Sequence, residues 1–204
     1  MNLFIKLYPI SFVIICALLI ISVVSKWYYL TVFLILFLLC MLYFFRTPLI
    51  CLNDDTNMIV SPTYGYVKHI SYDSESITVD VVLDVFDIHA QYIPYSGFIK
   101  NIQYIPGKFN LILKSSKYHK DNEHNIVTLH TKHGDIIITQ YAGYLTRRIL
   151  NFKYKYENVR KYEMYGFITF GSQVSITLPS SVKLLIQEGD YLYGPFTNLA
   201  TIMK

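Results

Sequence analysis

Two apolar runs at the start of the chain constrain its fold more than anything that follows. Leu7 to Ser25 and Trp27 to Phe45 are each about 19 residues long, and residues 1–45 carry only two charges, Lys6 and Lys26, with no acidic residue. An α-helix needs about 20 apolar residues to cross the hydrocarbon of a bilayer. A helical hairpin over 1–45, inserted in a membrane, is therefore expected, with a buried core helix pair as the alternative. A secretory signal is disfavoured, because a second apolar run follows the first without a small-residue cleavage site and a polar mature sequence. Lys6 and Arg46 flank the pair while Lys26 sits in its turn, so the positive-inside rule places both ends, and the domain that follows, on the cytoplasmic side of the cell (inner) membrane. Trp27, Tyr28, Tyr29, Tyr43, Phe44 and Phe45 at the run ends fit an interfacial aromatic belt.

Composition changes after Phe45. Residues 46–204 hold all 14 acidic residues and 16 of the 18 basic ones, a near-neutral balance of +2 that gives no electrostatic footprint for nucleic acid. Short runs rich in Ile, Val, Tyr and Thr, at 58–70, 76–89, 97–105, 125–131, 135–143 and 166–179, read as β-strands. "TKHGD" (131–135) reads as a hairpin tip, and "AGYLTRRILN" (142–151) is the best, though short, helical candidate. The expected domain is mainly β. Segments 156–168 and 188–202 echo each other and resemble the hairpins of biotinyl- and lipoyl-carrier folds. Neither has the lysine that such carriers modify, so the echo is read as architecture. The three cysteines and six histidines show no metal-ligand spacing.

Within "ITFGSQVSITLP" (168–179), Ile168, Phe170, Val174, Ile176 and Leu178 alternate as in a strand, but Gly171 and Ser172 interrupt it. Glycine weakens a strand interior and often marks a bulge or a close approach of backbone.

Seven blocks, "YFFRTP" (43–48), "VSPTYG" (60–65), "FDIHAQYIPYSG" (86–97), "YIPGKF" (104–109), "NEHN" (122–125), "AGYLTRRI" (142–149) and "FGSQVSITLP" (170–179), occur in an order that resembles phosphatidylserine decarboxylase proenzymes of the short, membrane-associated type. There the blocks read approximately FFRDP, SPADG, FDVHVNRxPVxG, YxPGKF, NERN, AGxIARRI and FGSRVDxxLP. The resemblance implies that Ser172 attacks the Gly171 carbonyl and converts the amide to an ester. β-Elimination then cuts the chain, and the resulting dehydroalanine hydrolyses to a pyruvoyl group with loss of ammonia. A β chain, 1–171, and an α chain, 172–204, would remain as a heterodimer. Glycine leaves the attacked carbonyl unshielded, and the serine oxygen serves first as nucleophile and then as leaving group. The mature enzyme would engage the amine of phosphatidylserine as a Schiff base on the pyruvoyl ketone and release carbon dioxide, leaving phosphatidylethanolamine, with no metal.

The resemblance makes Ser172 the nucleophile and pyruvoyl precursor and His89 the acid or base beside it. Arg147, Arg148 and Lys108 are candidates for the phosphodiester, against a role as ordinary salt-bridge partners. The run 151–162 is either a membrane-resting basic and aromatic stretch or a solvated strand pair. Two positions depart from the pattern. Tyr64 stands where the family has the aspartate of SPADG, and Gln91-Tyr92 stand for the Asn-Arg after FDVHV; Asp84 and Asp87 are the carboxylates that could substitute in space. A tyrosine is neutral at pH 7 and cannot stabilise an imidazolium as a carboxylate does. The alternative from another class is an uncleaved, inactive, membrane-anchored β domain that binds lipid or a protein partner.

Overall fold

The computed structural model describes residues 2–50, 57–109, 121–143, 148–169 and 172–203. They form two compact units, 1–49 and 50–204.

In the first unit, α1 (Leu3–Leu7), α2 (Pro9–Val24) and α3 (Tyr28–Phe44) follow one another with short breaks. Asn2 caps α1 by accepting from the Phe4 amide at 2.9 Å, and its Nδ2 donates to the Leu42 carbonyl at 2.8 Å, tying the start of the unit to the end of α3. Between α2 and α3 the Thr31 hydroxyl donates to Ser22 Oγ at 2.9 Å. Apolar side chains are exposed on both helices, among them Ile10, Val24, Phe33 and Leu36. A helical hairpin is present, with helices shorter than the 19-residue runs: α2 has 16 residues and α3 has 17, and no helix of the described residues is long and apolar enough to cross a membrane. The cause is local. Pro9 starts a new helix and detaches Leu7 and Tyr8 from it, while Ser25, Lys26 and Trp27 are used in the turn, where Lys26 adopts φ +57°.

The second unit is mainly β. An eight-stranded antiparallel sheet runs in the order β13 (Tyr191–Tyr193), β2 (Tyr64–Tyr72), β3 (Ser76–Leu83), β11 (Ser172–Pro179), β7 (Gly134–Ala142), β6 (His124–Thr131), β5 (Gly97–Ile105), β9 (Asn158–Val159). Two three-stranded sheets accompany it: β1 (Met58–Val60), β14 (Asn198–Ile202), β12 (Val182–Leu184); and β4 (Ala90–Tyr92), β10 (Met164–Ile168), β8 (Ile149–Asn151). Strict alternation decides which face is buried. Ile77, Val79, Val81 and Leu83 of β3, Val127 and Leu129 of β6, Ile136 and Ile138 of β7, and Val174, Ile176 and Leu178 of β11 all point into one core.

Most strands fall where the sequence places them, and the hairpin tip at 131–135 closes β6 onto β7 with Gly134 at φ +112°. Several readings change. The run 76–89 is a strand only to Leu83, after which Asp84–His89 form a loop. The helical candidate 142–151 is strand at Ile149–Asn151, where pairing with Gly166, Phe167 and Ile168 satisfies its backbone; residues 144–147 lie outside the described set. The two echoing segments are not carrier-type hairpins. β9 pairs with β5 and β10 with β4 and β8, while β13 pairs with β2 and β14 with β1 and β12, so the strands within each segment do not pair with one another. Nor is 151–162 a strand pair: it is largely loop around the short β9, with Lys153 bridging Glu157 at 2.9 Å and Glu163 at 2.8 Å.

The run 166–179, read as one interrupted strand, is two strands in two sheets. β10 ends at Ile168 in a three-stranded sheet, and β11 starts at Ser172 in the middle of the eight-stranded one. The glycine-serine pair falls where the chain crosses from one to the other. Segment 172–204 supplies β11, β12, β13 and β14, and β11 is paired on both sides by strands that precede the crossing, β3 and β7.

Candidate active site

The first residue of β11 meets several of the sequence blocks through backbone register. Ser172 is opposite Leu83 on one side and Ala142 on the other; both neighbours are buried. Ala142 is held in place by "NEHN": its amide donates to the Glu123 carbonyl at 2.8 Å, and its carbonyl accepts from Nδ2 of the buried Asn122, also at 2.8 Å. "PGKF" is joined to the same point, because the Lys108 carbonyl accepts from Glu123 N at 2.9 Å and the Lys108 amide donates to the Asp121 carbonyl at 2.8 Å. Gly107 permits this approach: a Cβ there would lie 2.6 Å from the Asn122 carbonyl carbon.

On the other side of the crossing, the end of β10 lies between the backbones of two expected site residues. The Ile168 amide donates to the His89 carbonyl at 3.2 Å, and the Thr169 hydroxyl donates to the Arg148 carbonyl at 3.1 Å. Gly171 and Arg147 lie outside the described residues. The Arg148 and Lys108 side chains are exposed.

His89 is fully buried. Its Nδ1 lies 2.8 Å from the Asp87 carbonyl oxygen. A carbonyl only accepts, so Nδ1 carries the proton and, in the neutral ring, Nε2 carries the lone pair. The Asp87 carboxylate is engaged elsewhere, accepting from the Asp84 amide at 2.7 Å and from the Tyr191 hydroxyl. At His89 Nδ1 the contact is therefore with the backbone carbonyl of Asp87 and not with its carboxylate. The Tyr191 phenol is pushed above its ordinary pKa by burial and by the carboxylate it faces, which keeps it a donor.

The two departures from the family pattern are neighbours. Gln91 Nε2 donates to Thr63 Oγ1 at 3.0 Å, and the Tyr92 amide donates to the Pro62 carbonyl at 2.8 Å, so the two blocks run side by side. Tyr64 and Tyr92 are both buried; burial, and then the Tyr64 phenol, push Tyr92 above its ordinary pKa. Two neutral phenols stand where the pattern has an aspartate and an arginine. Against the Tyr64 ring lies Gly194, at φ +57°; a Cβ there would be 2.2 Å from Tyr64 Cε2.

Several buried amides around this region have no hydrogen-bond partner among the described residues: Gln91 Oε1, Gln140 Nε2, and both side-chain polar atoms of Gln173, the residue after Ser172. Native cores leave few such atoms.

The phosphatidylserine decarboxylase family model matches residues 37–196. This chain belongs to the phosphatidylserine decarboxylase family. Among its relatives is a phosphatidylserine decarboxylase proenzyme of Ehrlichia ruminantium (strain Gardel), 33% identical over 177 residues, which cover 83% of this chain and 78% of that one. A proenzyme of the same name from Carboxydothermus hydrogenoformans is 30% identical over 191 residues, 89% of this chain and 87% of that one. One from Geotalea uraniireducens is 31% identical over 171 residues, 80% of each.

In this decarboxylase-family chain the blocks gather in two hydrogen-bonded groups: PGKF, NEHN, the Ala142 region and the start of β11 in one, and SPTYG, the FDIHAQY segment and the end of β10 in the other. Sequence reasoning missed Asp87 as a backbone acceptor, Asn122 as the donor that holds Ala142, and Tyr191 altogether. No residue-type signal marks a carbonyl. Tyr191 had only its position beside Gly189 and Asp190, at the start of a short strand, to draw notice.

Proposed function

We propose that this chain is a phosphatidylserine decarboxylase proenzyme that cuts itself between Gly171 and Ser172 and converts phosphatidylserine to phosphatidylethanolamine and carbon dioxide. The observation that carries the reading is the family match over 37–196 together with a buried His89, protonated at Nδ1, whose carbonyl holds the strand end four residues before Ser172. His89 Nε2 is the proton acceptor for the Ser172 hydroxyl, and Gly171 is the residue whose carbonyl is attacked.

The residues present fit a pyruvoyl group at position 172. The flanking strands are buried, and Nε2 of Gln140, opposite Val174 on the face that Ser172 shares, is a donor without a partner among the described residues that a polar group or substrate could engage. When bound there, the pyruvoyl ketone supplies the electron sink for loss of carbon dioxide. The chain's own residues exclude water and handle the proton. Lys108 and Arg148, with Arg147, are the cations for the phosphodiester; the first two support this by their exposure and by backbone ties to Glu123 and Thr169, on the two sides of the crossing.

The α chain, 172–204, stays with the β chain, 1–171, as a heterodimer. In support, β11 is hydrogen-bonded along both edges to β3 and β7, and β13 and β14 to β2 and β1. The apolar hairpin of residues 1–45 anchors the enzyme to the bilayer that holds its substrate, with the β domain on the cytoplasmic side of the inner membrane. The exposed apolar side chains of α2 and α3 support lipid contact.

The test is an intact-mass spectrum of the detergent-solubilised chain beside Ser172→Ala. The expected result is two species, one ending at Gly171 and one starting at position 172, the latter lighter by one ammonia than its plain peptide, and neither present in the variant. Tyr64 favours the second reading, an inactive lipid- or protein-binding domain, because it replaces a carboxylate with a neutral phenol. An uncut chain in both samples would establish that reading instead.

A further inference from the structure

The loop Asp84–His89 presents a problem of stability. It carries His89 fully buried at one end, yet Val85 is 40% exposed and Phe86 72% exposed. Burial of those two apolar residues therefore contributes little to its shape, which polar bonds to Asp87 define. The Asp87 amide donates to the Asp84 carbonyl at 3.0 Å, one carboxylate oxygen accepts from the Asp84 amide at 2.7 Å, and the other accepts from the Tyr191 hydroxyl. Asp87 itself is 8% exposed, so its carboxylate depends on these donors. The carbonyl of the same residue holds His89 Nδ1.

Among the described residues the donor from outside the loop, Tyr191, is held by contacts of its own. The Tyr191 ring makes edge-to-face contacts with Tyr66 and Tyr193, each at 4.8 Å between centroids, and its backbone is in register with Tyr66. The ring thus has contacts that place its hydroxyl without help from Asp87. Tyr191 also lies after the proposed cut, while Asp87 and His89 lie before it.

We propose that Tyr191 is a positioning residue for His89: by donating to the Asp87 carboxylate it fixes the loop so that the Asp87 carbonyl keeps Nδ1 protonated and leaves Nε2 as the proton acceptor. This rests on the role given to His89 above. It makes correct presentation of the histidine on the long chain depend on the short one, so the two chains share the site through this bond as well as through Ser172.

The experiment reads the His89 tautomer directly. In full-length, detergent-solubilised Ser172→Ala protein labelled with 15N-histidine, two-bond proton–nitrogen correlations separate the two neutral tautomers, with His89 assigned by its loss in His89→Gln. The parent is expected to show a single Nδ1–H form. Tyr191→Phe, which keeps the ring and removes only the hydroxyl, is expected to show mixed or altered His89 signals, whereas Tyr193→Phe leaves them as in the parent. In the cleavable chain, Tyr191→Phe is expected to slow cutting by about 10- to 100-fold, the range for a misplaced catalytic group. An unchanged His89 spectrum in Tyr191→Phe overturns the proposal, even if thermal stability falls, because the bond would then be structural only. If Tyr191→Phe does not fold, Asp87→Asn is read by the same spectrum: altered signals support the proposal and unaltered ones overturn it. Altered tautomers in a parent chain that never cuts would sustain the positioning role while removing the proposed function.

Discussion

His89 donates from Nδ1 to the backbone carbonyl of Asp87, 2.8 Å away, and not to a carboxylate. A carbonyl does not titrate in the working range, so this contact holds the ring in one tautomer without adding a negative charge. It orients the base but does not stabilise an imidazolium as strongly as an ion pair. His89→Ala is expected to slow self-cleavage by about 10²- to 10⁴-fold, the usual contribution of a general base, read as the fraction of cut chain against time. Cutting at the parent rate would remove His89 from the mechanism.

Tyr64 and Tyr92 are expected to behave as one unit. Tyr64→Asp alone places a carboxylate in a buried site beside a phenol, and should cost about 2 kcal/mol or more at neutral pH. Adding Tyr92→Arg supplies the counter-ion and should recover part of that loss. Denaturant unfolding of the two single variants and the double variant, all in the Ser172→Ala chain, gives the coupling; strictly additive effects would show that the positions do not interact.

Gly194 meets Tyr64 across the α and β chains of the proposed enzyme. Its φ is +57°, and a Cβ added there would lie only 2.2 Å from Tyr64 Cε2, so there is no room for one. Gly194→Ala should destabilise the domain by roughly 2–3 kcal/mol, from backbone strain and overpacking together. Thermal unfolding checks this, and a variant as stable as the parent would mean that the ring can move aside.

Asn122 holds the carbonyl of Ala142, the residue opposite Ser172. Asn122→Ala removes a buried donor and should cost about 1–3 kcal/mol. Asn122→Asp should be worse, since a carboxylate would face the carbonyl. Because Ala142 registers with Ser172, both variants should also cut more slowly at temperatures where they remain folded, as followed by intact mass; normal cutting in a destabilised variant would separate the two roles.

Asp135 at the β6–β7 tip is held below the ordinary carboxylate pKa by hydrogen bonds from Lys100 first and His130 second. A lowered folded-state pKa means that the carboxylate contributes its full stability above about pH 4, its ordinary value, and loses it as pH falls through the lower one. Asp135→Asn should therefore cost less than ~1 kcal/mol at pH 6–7, the group being partly exposed. The gap from the parent should close as pH falls through that lowered value. A pH-independent difference in melting temperature would exclude the ion pairs as its source.

The order of amino acids determined the β class, the register-setting alternation of β3, β6, β7 and β11, the apolar helical hairpin, and the identity of Ser172 and His89 as candidates. These rest on short-range rules: period-two burial, apolar run length, and residue types grouped in blocks. What lay beyond those rules was decided by tertiary structure. The glycine-serine pair reads as a flaw in one strand, because periodicity continues across it; only pairing partners reveal two sheets and a crossing. Tyr64 and Tyr92 are 28 positions apart, and their adjacency comes from the Tyr92 amide bonding to the Pro62 carbonyl. The group that orients His89 is a main-chain carbonyl, which every residue possesses and no residue type announces. Tyr191 reaches Asp87 across 104 positions because β13 pairs with β2. Side-chain chemistry can be read locally, whereas the choice of hydrogen-bond partner between distant segments is made by the packing of the whole domain.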